Sequence, residues 1–168
     1  MNKFEKVSFE QYLSDNKDSI NDGIDKDVIK FEYDSIKLPR RATKYSAGYD
    51  FFAPFAFTLS PGDTLKIPTG IRVRLDDDKF LAIYPRSGLG FKYKLRLNNV
   101  VGIVDADYFF ANNEGHIFIK LSNEGDKELA INKGEAFAQG IITQYFLTVD
   151  DDTDSERHGG IGSTSGKV

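Results

Sequence analysis

Two carboxylates, Asp105 and Asp107, directly follow the apolar run Val-Val-Gly-Ile-Val at residues 100–104. Such a run is typical of a buried strand. An ionised carboxylate beside a buried strand is unfavourable unless another group pairs with it, donates hydrogen bonds to it or uses its charge. Asp105 is therefore a candidate for a chemical role, with a turn carboxylate that caps backbone N–H groups as the alternative interpretation. We expect Asp107 to point away from Asp105 if the strand continues, and so to have a structural role.

The sequence Pro-Arg-Ser-Gly at residues 85–88 combines donors that suit phosphate oxygens. Arg86 offers a forked cationic donor, Ser87 a hydroxyl, and Gly88 a backbone N–H that no side chain shields. A simple turn with a surface arginine would use the same four residues. This stretch is therefore a candidate phosphate site, with the turn as the alternative interpretation.

A second candidate anion site lies near the end of the chain, in Arg-His-Gly-Gly-Ile-Gly-Ser-Thr-Ser-Gly at residues 157–166. Seven of these ten residues are Gly, Ser or Thr, so the backbone can form anion-binding nests while the hydroxyls donate to phosphate. A disordered tail is the alternative interpretation. The two are compatible, because a tail that is mobile when empty can become ordered over a bound ligand.

The composition excludes several kinds of site. The chain has 22 Lys and Arg against 26 Asp and Glu, a formal net charge of -4, and so lacks the positive field that non-specific nucleic-acid binding needs. It has no Cys and only two His, which excludes disulfides and argues against a multi-His metal site. No window resembles a membrane span or a signal peptide. We expect a soluble, cytoplasmic protein that binds neither nucleic acid nor membrane.

The segments that must position these clusters are mostly strand-like. Residues 7–17 predict a short helix capped by Ser8, with Gln11 at the capping-box position, and a polar linker follows. From residue 28 onward, apolar runs are broken by turns rich in Pro, Gly and Asp. Strands are predicted within residues 28–33, 63–75, 79–85, 116–123 and 134–146. This pattern favours an all-β domain, either a sandwich or a closed barrel.

Five polar or glycine-containing clusters interrupt these runs, at residues 46–53, 84–90, 98–108, 133–142 and 157–166. In order and approximate spacing they resemble the five motifs of the trimeric dUTP diphosphatases (dUTPases), over roughly residues 28–167. The resemblance implies an all-β fold, a dUTPase-like β-barrel of the jelly-roll type (β-clip), with a short N-terminal helix and a flexible glycine-rich C-terminal tail. It divides the chain into an N-terminal helical extension and linker (1–27), the barrel domain (28–149), and an acidic linker with an arm that closes over the active site (150–168).

The resemblance also implies the reaction, which is hydrolysis of dUTP to dUMP and pyrophosphate. This reaction keeps uracil out of DNA and supplies dUMP for thymidylate synthesis. In the family the active site is shared within a homotrimer: one subunit gives a hairpin that pairs with uracil, a second the phosphate-binding motifs, and a third the tail. The carboxylate after the hairpin, here Asp105, would act as general base on the attacking water, with apolar walls from Ile103 and Val104 excluding other solvent.

The remaining roles are carried over position by position. Tyr108 matches the aromatic that packs against deoxyribose and leaves no room for a 2'-hydroxyl, and Asn99 matches a side-chain contact near the base, although Asn98 is an alternative. Asp50 resembles the carboxylate that holds Mg²⁺ through water, an arrangement that suits a cation which keeps several waters. The predicted substrate-binding residues are Arg86, Ser87, Gly88, Asn99, Gly102, Ile103, Val104, Tyr108, Phe118, Gln139, Arg157, Ile161, Gly162, Ser163 and Thr164.

The chain departs from the family pattern at two places. Ile161 stands where the family usually has Phe, and it can cover a base by dispersion but cannot stack on it. After Tyr108 the family has Arg-Gly and a short turn, whereas here residues 109–115, Phe-Phe-Ala-Asn-Asn-Glu-Gly, intervene. We expect these residues to lengthen a surface turn, and they leave the role of Phe118 open.

Two other functions are compatible with this fold. A dCTP deaminase, or a combined deaminase and diphosphatase, shares the scaffold, although Pro-Arg-Ser-Gly and the long tail favour the simple diphosphatase. A regulatory module is the other alternative, with residues 1–27 or 109–115 holding a protein partner, alone or in addition to catalysis.

Overall fold

The computed structural model describes residues 1–19 and 24–155, without the side chains of residues 17–19. Its helices are α1 (Phe9–Ser19), α2 (Lys26–Asp34) and α3 (Ser87–Tyr93), with a short 3₁₀-helix at Ala106–Phe110. Its strands are β1 (Lys3–Lys6), β2 (Arg40–Arg41), β3 (Tyr49–Phe52), β4 (Phe57–Leu59), β5 (Thr64–Pro68), β6 (Ile71–Arg74), β7 (Lys79–Pro85), β8 (Leu95–Leu97), β9 (Gly102–Val104), β10 (Phe118–Asn123), β11 (Leu129–Ile131) and β12 (Ala136–Gln144).

Within the described residues these strands form four sheets, and every pairing between strands is antiparallel. The largest has the order β2-β3-β12-β7-β9, and the others have the orders β5-β10-β8, β1-β6 and β11-β4. The predicted all-β class is therefore confirmed. The closed barrel is corrected, because in the described part of the chain no continuous ladder of hydrogen bonds joins the four sheets into one.

Most of the predicted strands are confirmed, and their bounds follow the turn residues. β5 and β6 lie on either side of Thr69-Gly70, where Gly70 has φ +71°. That left-handed conformation suits glycine, and a Cβ on Gly70 would also lie 2.3 Å from Ile36 Cδ1. The apolar runs predicted within residues 79–85, 116–123 and 134–146 likewise give β7, β10 and β12; burial alternates along β10, whereas three successive residues are buried in the middle of β7. β1 was not predicted, and it pairs with β6 through Phe4↔Val73.

The predicted strand at residues 28–33 is wrong, because this stretch lies in helix α2. Asp25 caps the helix by accepting a hydrogen bond from the backbone N–H of Asp27 at 2.9 Å. Ile29 is buried and Tyr33 packs against the core, a spacing of four residues that fits one face of a helix. Helical spacing of the apolar residues thus overrides the apparent alternation.

The predicted helix near Ser8 is confirmed as α1, but only one of the two hydrogen bonds of the predicted capping box is present. Ser8 Oγ accepts from the N–H of Gln11 at 3.1 Å, as expected. The Gln11 side chain turns to Asp15 instead of back to Ser8. Glu114 replaces it: its carboxylate accepts from Ser8 N–H and from Ser8 Oγ, both at 2.7 Å. A residue of the 109–115 insertion therefore completes the cap of α1.

The expectation that residues 109–115 only lengthen a surface turn is therefore wrong. Phe109, Ala111 and Gly115 are buried, and the segment contacts α1 through Glu114. Apolar burial and the Ser8 contacts both favour the folded-back conformation over an extended loop. Phe110 remains exposed.

One core cluster includes both helices and the sheets. Tyr12 of α1 and Ile29 of α2 belong to the same cluster as Phe51, Leu81 and Phe137. The predicted boundaries after residues 27 and 149 stay predictions. No helix in the described part of the chain is long and apolar enough to cross a membrane.

The Glu114 cap makes a prediction about pH. Burial alone would raise the pKa of Glu114, but the hydrogen bonds from Ser8 and the charge of Arg72 outweigh it, so the pKa lies below its ordinary value. A carboxylate with a lowered pKa stabilises the fold above its unfolded pKa and loses that effect as pH falls through the folded pKa. Glu114→Gln should therefore lower the free energy of unfolding by about 1 kcal/mol at pH 7. This difference should shrink as pH falls below about 4.3.

Urea denaturation of wild type and Glu114→Gln between pH 3 and 7 measures this difference. Glu128, an exposed glutamate, gives the matched control, and Glu128→Gln should change the free energy of unfolding by less than about 0.5 kcal/mol. A Glu114→Gln effect of equal size at pH 3 and pH 7 would contradict the assignment.

Candidate functional site

The stretch around residues 99–108, predicted to form a hairpin, carries an unusual turn between β8 and β9. These two strands pair with β10 and β7, respectively, and not with each other, so the described residues form no paired hairpin here. Val101 N–H donates to Asn99 O at 2.7 Å, closing a three-residue turn around Val100, whose φ is +65°. A β-branched residue rarely adopts this conformation, and such strain costs of order 1–3 kcal/mol and is concentrated at functional sites. Val100 and Ile103 are 79% and 55% exposed. The turn is thus strained and open to solvent.

Gly102 lets strand β9 lie close to strand β7 of the largest sheet. β9 pairs with β7 through Ile83↔Gly102 and Leu81↔Val104. A Cβ on Gly102 would lie 3.2 Å from Ile83 Cβ, so a side chain there would push the strands apart. The predicted base-binding residues Gly102, Ile103 and Val104 therefore form one short strand whose position is set by β7.

Asp105 begins the 3₁₀-helix directly after β9, and its carbonyl accepts from Tyr108 N–H at 3.2 Å. It lines an open depression of about 1040 Å³ together with Asp107, Arg74 and Phe110. Asp107 was expected on the opposite face, which is wrong, because residues two positions apart lie on the same face of a strand. Here the strand ends at Val104, and the helical turn that follows also brings both carboxylates to one depression. Asp105 and Ile103 are exposed, so apolar walls do not enclose the carboxylate within one chain.

A second depression, of about 350 Å³, brings together three separately predicted residues: Asp50, Arg86 and Gln139. Arg86 Nε lies 3.3 Å from Asp50 Oδ1, and Gln139 Nε2 donates to Pro85 O at 3.4 Å. Ser87 and Gly88 line the same depression. This polar cluster carries a guanidinium, a carboxylate, an amide and a hydroxyl, a donor set that fits phosphate oxygens.

The sheet order explains why these residues meet. β12 lies between β3 and β7, and its Gln139 is paired with Asp50 on one side and Tyr84 on the other. β7 ends at Pro85, so Arg86 emerges beside Gln139. A Cβ on Gly48 would lie 2.5 Å from Gln139 Oε1, so glycine there leaves room for the amide.

The two depressions lie at opposite ends of β7. In the antiparallel register, Val104 opposite Leu81 puts Asp105 beside Phe80. Arg86 directly follows the end of β7 and lies six residues beyond Phe80 along the chain, which corresponds to about 20 Å of extended backbone. Asp105 and Arg86 of one chain therefore do not act on the same phosphate group.

Tyr108 is only 5% exposed. Its hydroxyl donates to His116 O at 2.8 Å and accepts from Asn113 Nδ2 at 2.9 Å. The ring can therefore offer only a small face to a ligand, and its predicted contact with the sugar stays a prediction. The roles of the other site residues stay predictions as well.

Two further residues have defined surroundings. Asn98 Oδ1 accepts from Ser122 Oγ, which leaves Asn99, in the three-residue turn, as the better candidate for contact with a base. Phe118 packs 4.6 Å from the His116 ring, under Lys66 Nζ. It lies on β10 and lines neither of the two depressions above.

Arg74 was not predicted as a site residue. It lies in the Asp105 depression and stacks on Phe109, with Cζ 4.5 Å from the ring centroid. Alternation in Ile-Arg-Val-Arg places Arg72 and Arg74 on one face of β6, a signal present in the sequence. The predicted tail residues Arg157, Ile161, Gly162, Ser163 and Thr164 lie outside the described residues.

The described residues contain no cluster of three or more Asp, Glu or His that could hold a metal ion by itself. Asp50 supplies one carboxylate beside the candidate phosphate-binding groups. This donor set fits Mg²⁺ held mainly by substrate phosphates and water. It does not fit a site built from protein ligands alone.

The dUTPase family model matches residues 34–166. A relative from Lactococcus lactis subsp. lactis, named deoxyuridine 5'-triphosphate nucleotidohydrolase, is 40% identical over 140 residues, covering 82% of this chain and 93% of that protein. A relative of the same name from Burkholderia mallei is 44% identical over 135 residues, covering 76% and 88%.

The fold agrees with solved dUTPases. The crystal structure of the dUTPase from Streptococcus mutans has a TM-score of 0.63 and 29% identity, covering 86% of this chain and 97% of that one. The dUTPase of the Staphylococcus aureus phage phi11, with a structural Mg(II) ion, has a TM-score of 0.62 at 18% identity, covering 92% and 97%. With the sequence match and the fold in agreement, this chain belongs to the dUTPase family of hydrolases.

Proposed function

We propose that this chain hydrolyses dUTP to dUMP and pyrophosphate. The observation that carries the proposal is the cluster of Asp50, Arg86 and Gln139 in one depression. The three residues come from separate segments, each predicted to contact phosphate or magnesium, and the fold brings them within reach of one polyphosphate. The name of the curated relatives states the same substrate for those proteins.

In the proposed reaction Asp105 takes a proton from water, and the water oxygen attacks the α-phosphorus. The bond from the α-phosphorus to the bridging oxygen then breaks, and pyrophosphate leaves with that oxygen. General bases of this kind contribute about 10²–10⁴-fold in rate. Placing the reactants and stabilising the phosphate charge supply the rest.

Arg86 provides the main protein charge for the phosphates. Its Nε lies 3.3 Å from Asp50 Oδ1 and its side chain is partly exposed, so phosphate oxygens can replace Asp50 as acceptors of its N–H groups. Ser87, Gly88 and Gln139 would donate beside it. Arg157, Gly162, Ser163 and Thr164 of the tail would close over the phosphates while Ile161 covers the base. Mg²⁺, held through water by Asp50, would neutralise phosphate charge when bound.

The hairpin would recognise uracil through the backbone of residues 99–104. A hairpin fitted to uracil clashes with the 5-methyl of thymine and mismatches the amino group of cytosine, and a site that must pair rejects wrong donors strongly. Tyr108 would limit the space at the sugar 2'-position. Phe118 stays a weaker candidate, because it lies on β10 and not on the hairpin.

The separation of about 20 Å along β7 supports a site shared between subunits of a homotrimer. Asp105 of one subunit would then face Arg86 of another, and the tail of a third would close the site. Keeping uracil out of DNA and supplying dUMP would be the cellular role, in the cytoplasm. A protein partner at residues 1–27 or 109–115 remains a separate proposal.

The direct test is product analysis with dUTP, dTTP, dCTP and UTP, each with Mg²⁺ or with excess EDTA. We expect dUTP alone to be converted rapidly, to dUMP and pyrophosphate, and only with Mg²⁺. Ammonia released from dCTP would identify a deaminase instead. A folded protein that turns over none of the four would reject hydrolysis and favour the regulatory module.

Replacing the proposed base tests its role. Asp105→Asn keeps the shape of the side chain but cannot take the proton, so kcat should fall by about 10²-fold or more with the Kd for dUTP within about threefold. Asp107→Asn is the matched control, because it changes the same group in the same depression; its kcat should stay within about threefold of wild type. An Asp105→Asn kcat within about tenfold of wild type would mean that another group is the base.

Mixed oligomers test the shared site. Arg86→Ala and Asp105→Asn should each be nearly inactive alone. A subunit with Arg86→Ala still supplies Asp105, and a subunit with Asp105→Asn still supplies Arg86. Co-expressing the two with different affinity tags, and selecting for both tags, should restore about a third of the wild-type activity per site, because a cyclic trimer that contains both variants has both groups intact in one of its three sites. Preparations with both tags but the same variant are the control. Mixed oligomers as inactive as the single variants would mean that both groups act within one subunit.

A further inference from the structure

The turn that follows the 3₁₀-helix folds back onto Tyr108. Gly115 has φ +71°, and a Cβ there would lie 2.7 Å from Tyr108 O and 2.8 Å from Phe109 Cα. Any other residue would push the turn away. Tyr108 Oη donates to His116 O and accepts from Asn113 Nδ2. Both hydrogen-bonding functions of the Tyr108 hydroxyl are thus taken up by residues of this turn.

Helix α1 holds the same turn from its other side. The Glu114 carboxylate accepts from Ser8 N–H and Ser8 Oγ at the start of the helix, both at 2.7 Å. About two helical turns after Ser8, Asp15 Oδ2 lies 2.5 Å from His116 Nδ1. Helix α1 therefore contacts residues 114–116 at two places, Ser8 near its start and Asp15 further along.

The histidine in this arrangement has a defined tautomer. Its Nε2 accepts from Gly70 N–H at 2.8 Å, so the proton of the neutral ring is on Nδ1, which donates to Asp15. The ring is 0% exposed and packs 6.1 Å from the Tyr12 ring. A buried ring with both nitrogens engaged has little freedom to turn, and it fixes the position of the His116 carbonyl that binds Tyr108.

We propose that Ser8, Asp15, Glu114 and His116 are positioning residues for Tyr108, and that through it they set the discrimination of dUTP against UTP. The proposal rests on the function proposed above. The connection runs from α1 through Glu114 and His116 to the Tyr108 hydroxyl, and from Tyr108 N–H to Asp105 O at 3.2 Å. The N-terminal helix and the 109–115 insertion thereby act together as a support for the sugar side of the site.

A support of this kind is needed because the 3₁₀-helix is short. It spans only Ala106–Phe110, and 3₁₀ geometry gives weaker hydrogen bonds than the α-helix. Excluding a 2'-hydroxyl depends on a ring held to within a fraction of an ångström, since a shift of about 1 Å can change rates by about a hundredfold. The hydroxyl contacts of Tyr108 supply the restraint that the short helix lacks.

The test compares kcat/KM for dUTP and UTP in wild type, Asp15→Ala and Glu114→Ala. The ratio of the two values, taken on one preparation, cancels the concentration of active enzyme, so loss of folded protein alone does not change it. We expect the dUTP preference to fall by about tenfold in both variants. Asp15→Asn keeps an oxygen that can accept from His116 Nδ1–H, and it should restore most of the preference.

Leu13→Ala is the matched control. Leu13 is a partly buried residue of α1 that packs against the core, so its truncation loosens the helix without removing a hydrogen bond to the turn. Its dUTP preference should equal that of wild type even where its Tm is lowered. If Asp15→Ala and Glu114→Ala do not fold, Ser8→Ala decides the matter, because it removes a single hydroxyl and should lower the preference in the same direction.

The outcomes separate this proposal from the function on which it rests. A wild type without dUTP turnover rejects the function. A wild type with strong dUTP preference, together with Asp15→Ala and Glu114→Ala variants that keep that preference at lowered Tm, rejects the positioning role alone. An equal loss of preference in Leu13→Ala also rejects it, because any loosening of α1 would then be sufficient.

Discussion

The position of β12 between β3 and β7 is the constraint on which the phosphate-binding cluster depends. Gln139 on β12 is paired with Asp50 and Tyr84 on its two neighbours. Asp50 and Gln139 are thus placed by backbone hydrogen bonds within the sheet, and Arg86 by its position directly after the end of β7. Gly140 makes this packing possible, since a Cβ there would lie 2.8 Å from Leu81 Cδ1 and 3.0 Å from Phe51 Cε2. Substituting Gly140 would disturb the sheet that aligns the site.

The sequence predicted the strands well where alternation and turn residues agree, as in β5, β6, β7, β10 and β12. It failed at residues 28–33, where a short alternating run was read as a strand although Ile29 and Tyr33 have helical spacing. It also failed for Asp107, which was placed on the opposite face from Asp105 although residues two positions apart share one face of a strand. Both errors come from assigning the wrong period to a short segment.

The contacts that sequence could not predict are those between distant segments. Glu114 caps a helix that begins 106 positions earlier, and Asp15 meets a histidine 101 positions later. Neither pairing leaves a local signal, because each depends on where β5, β6 and β10 bring the chain. The motif residues Asp50, Arg86 and Gln139, by contrast, were predicted together from the resemblance of their short stretches to the family motifs. Their meeting in one depression needed the sheet order.

The exposure of Asp105 supports the proposal of a site shared between subunits. A carboxylate open to bulk water is well solvated, and it activates a bound water less effectively than one in a closed site. The single chain leaves Asp105 in an open depression, with Val100 and Ile103 exposed at the hairpin nearby. It also exposes Phe146, Leu147 and Val149 after the last strand. Apolar surface of this extent favours burial against another subunit. Covering the hairpin in this way would exclude the solvent that a general base must avoid, so the same contacts would complete the site and stabilise the assembly.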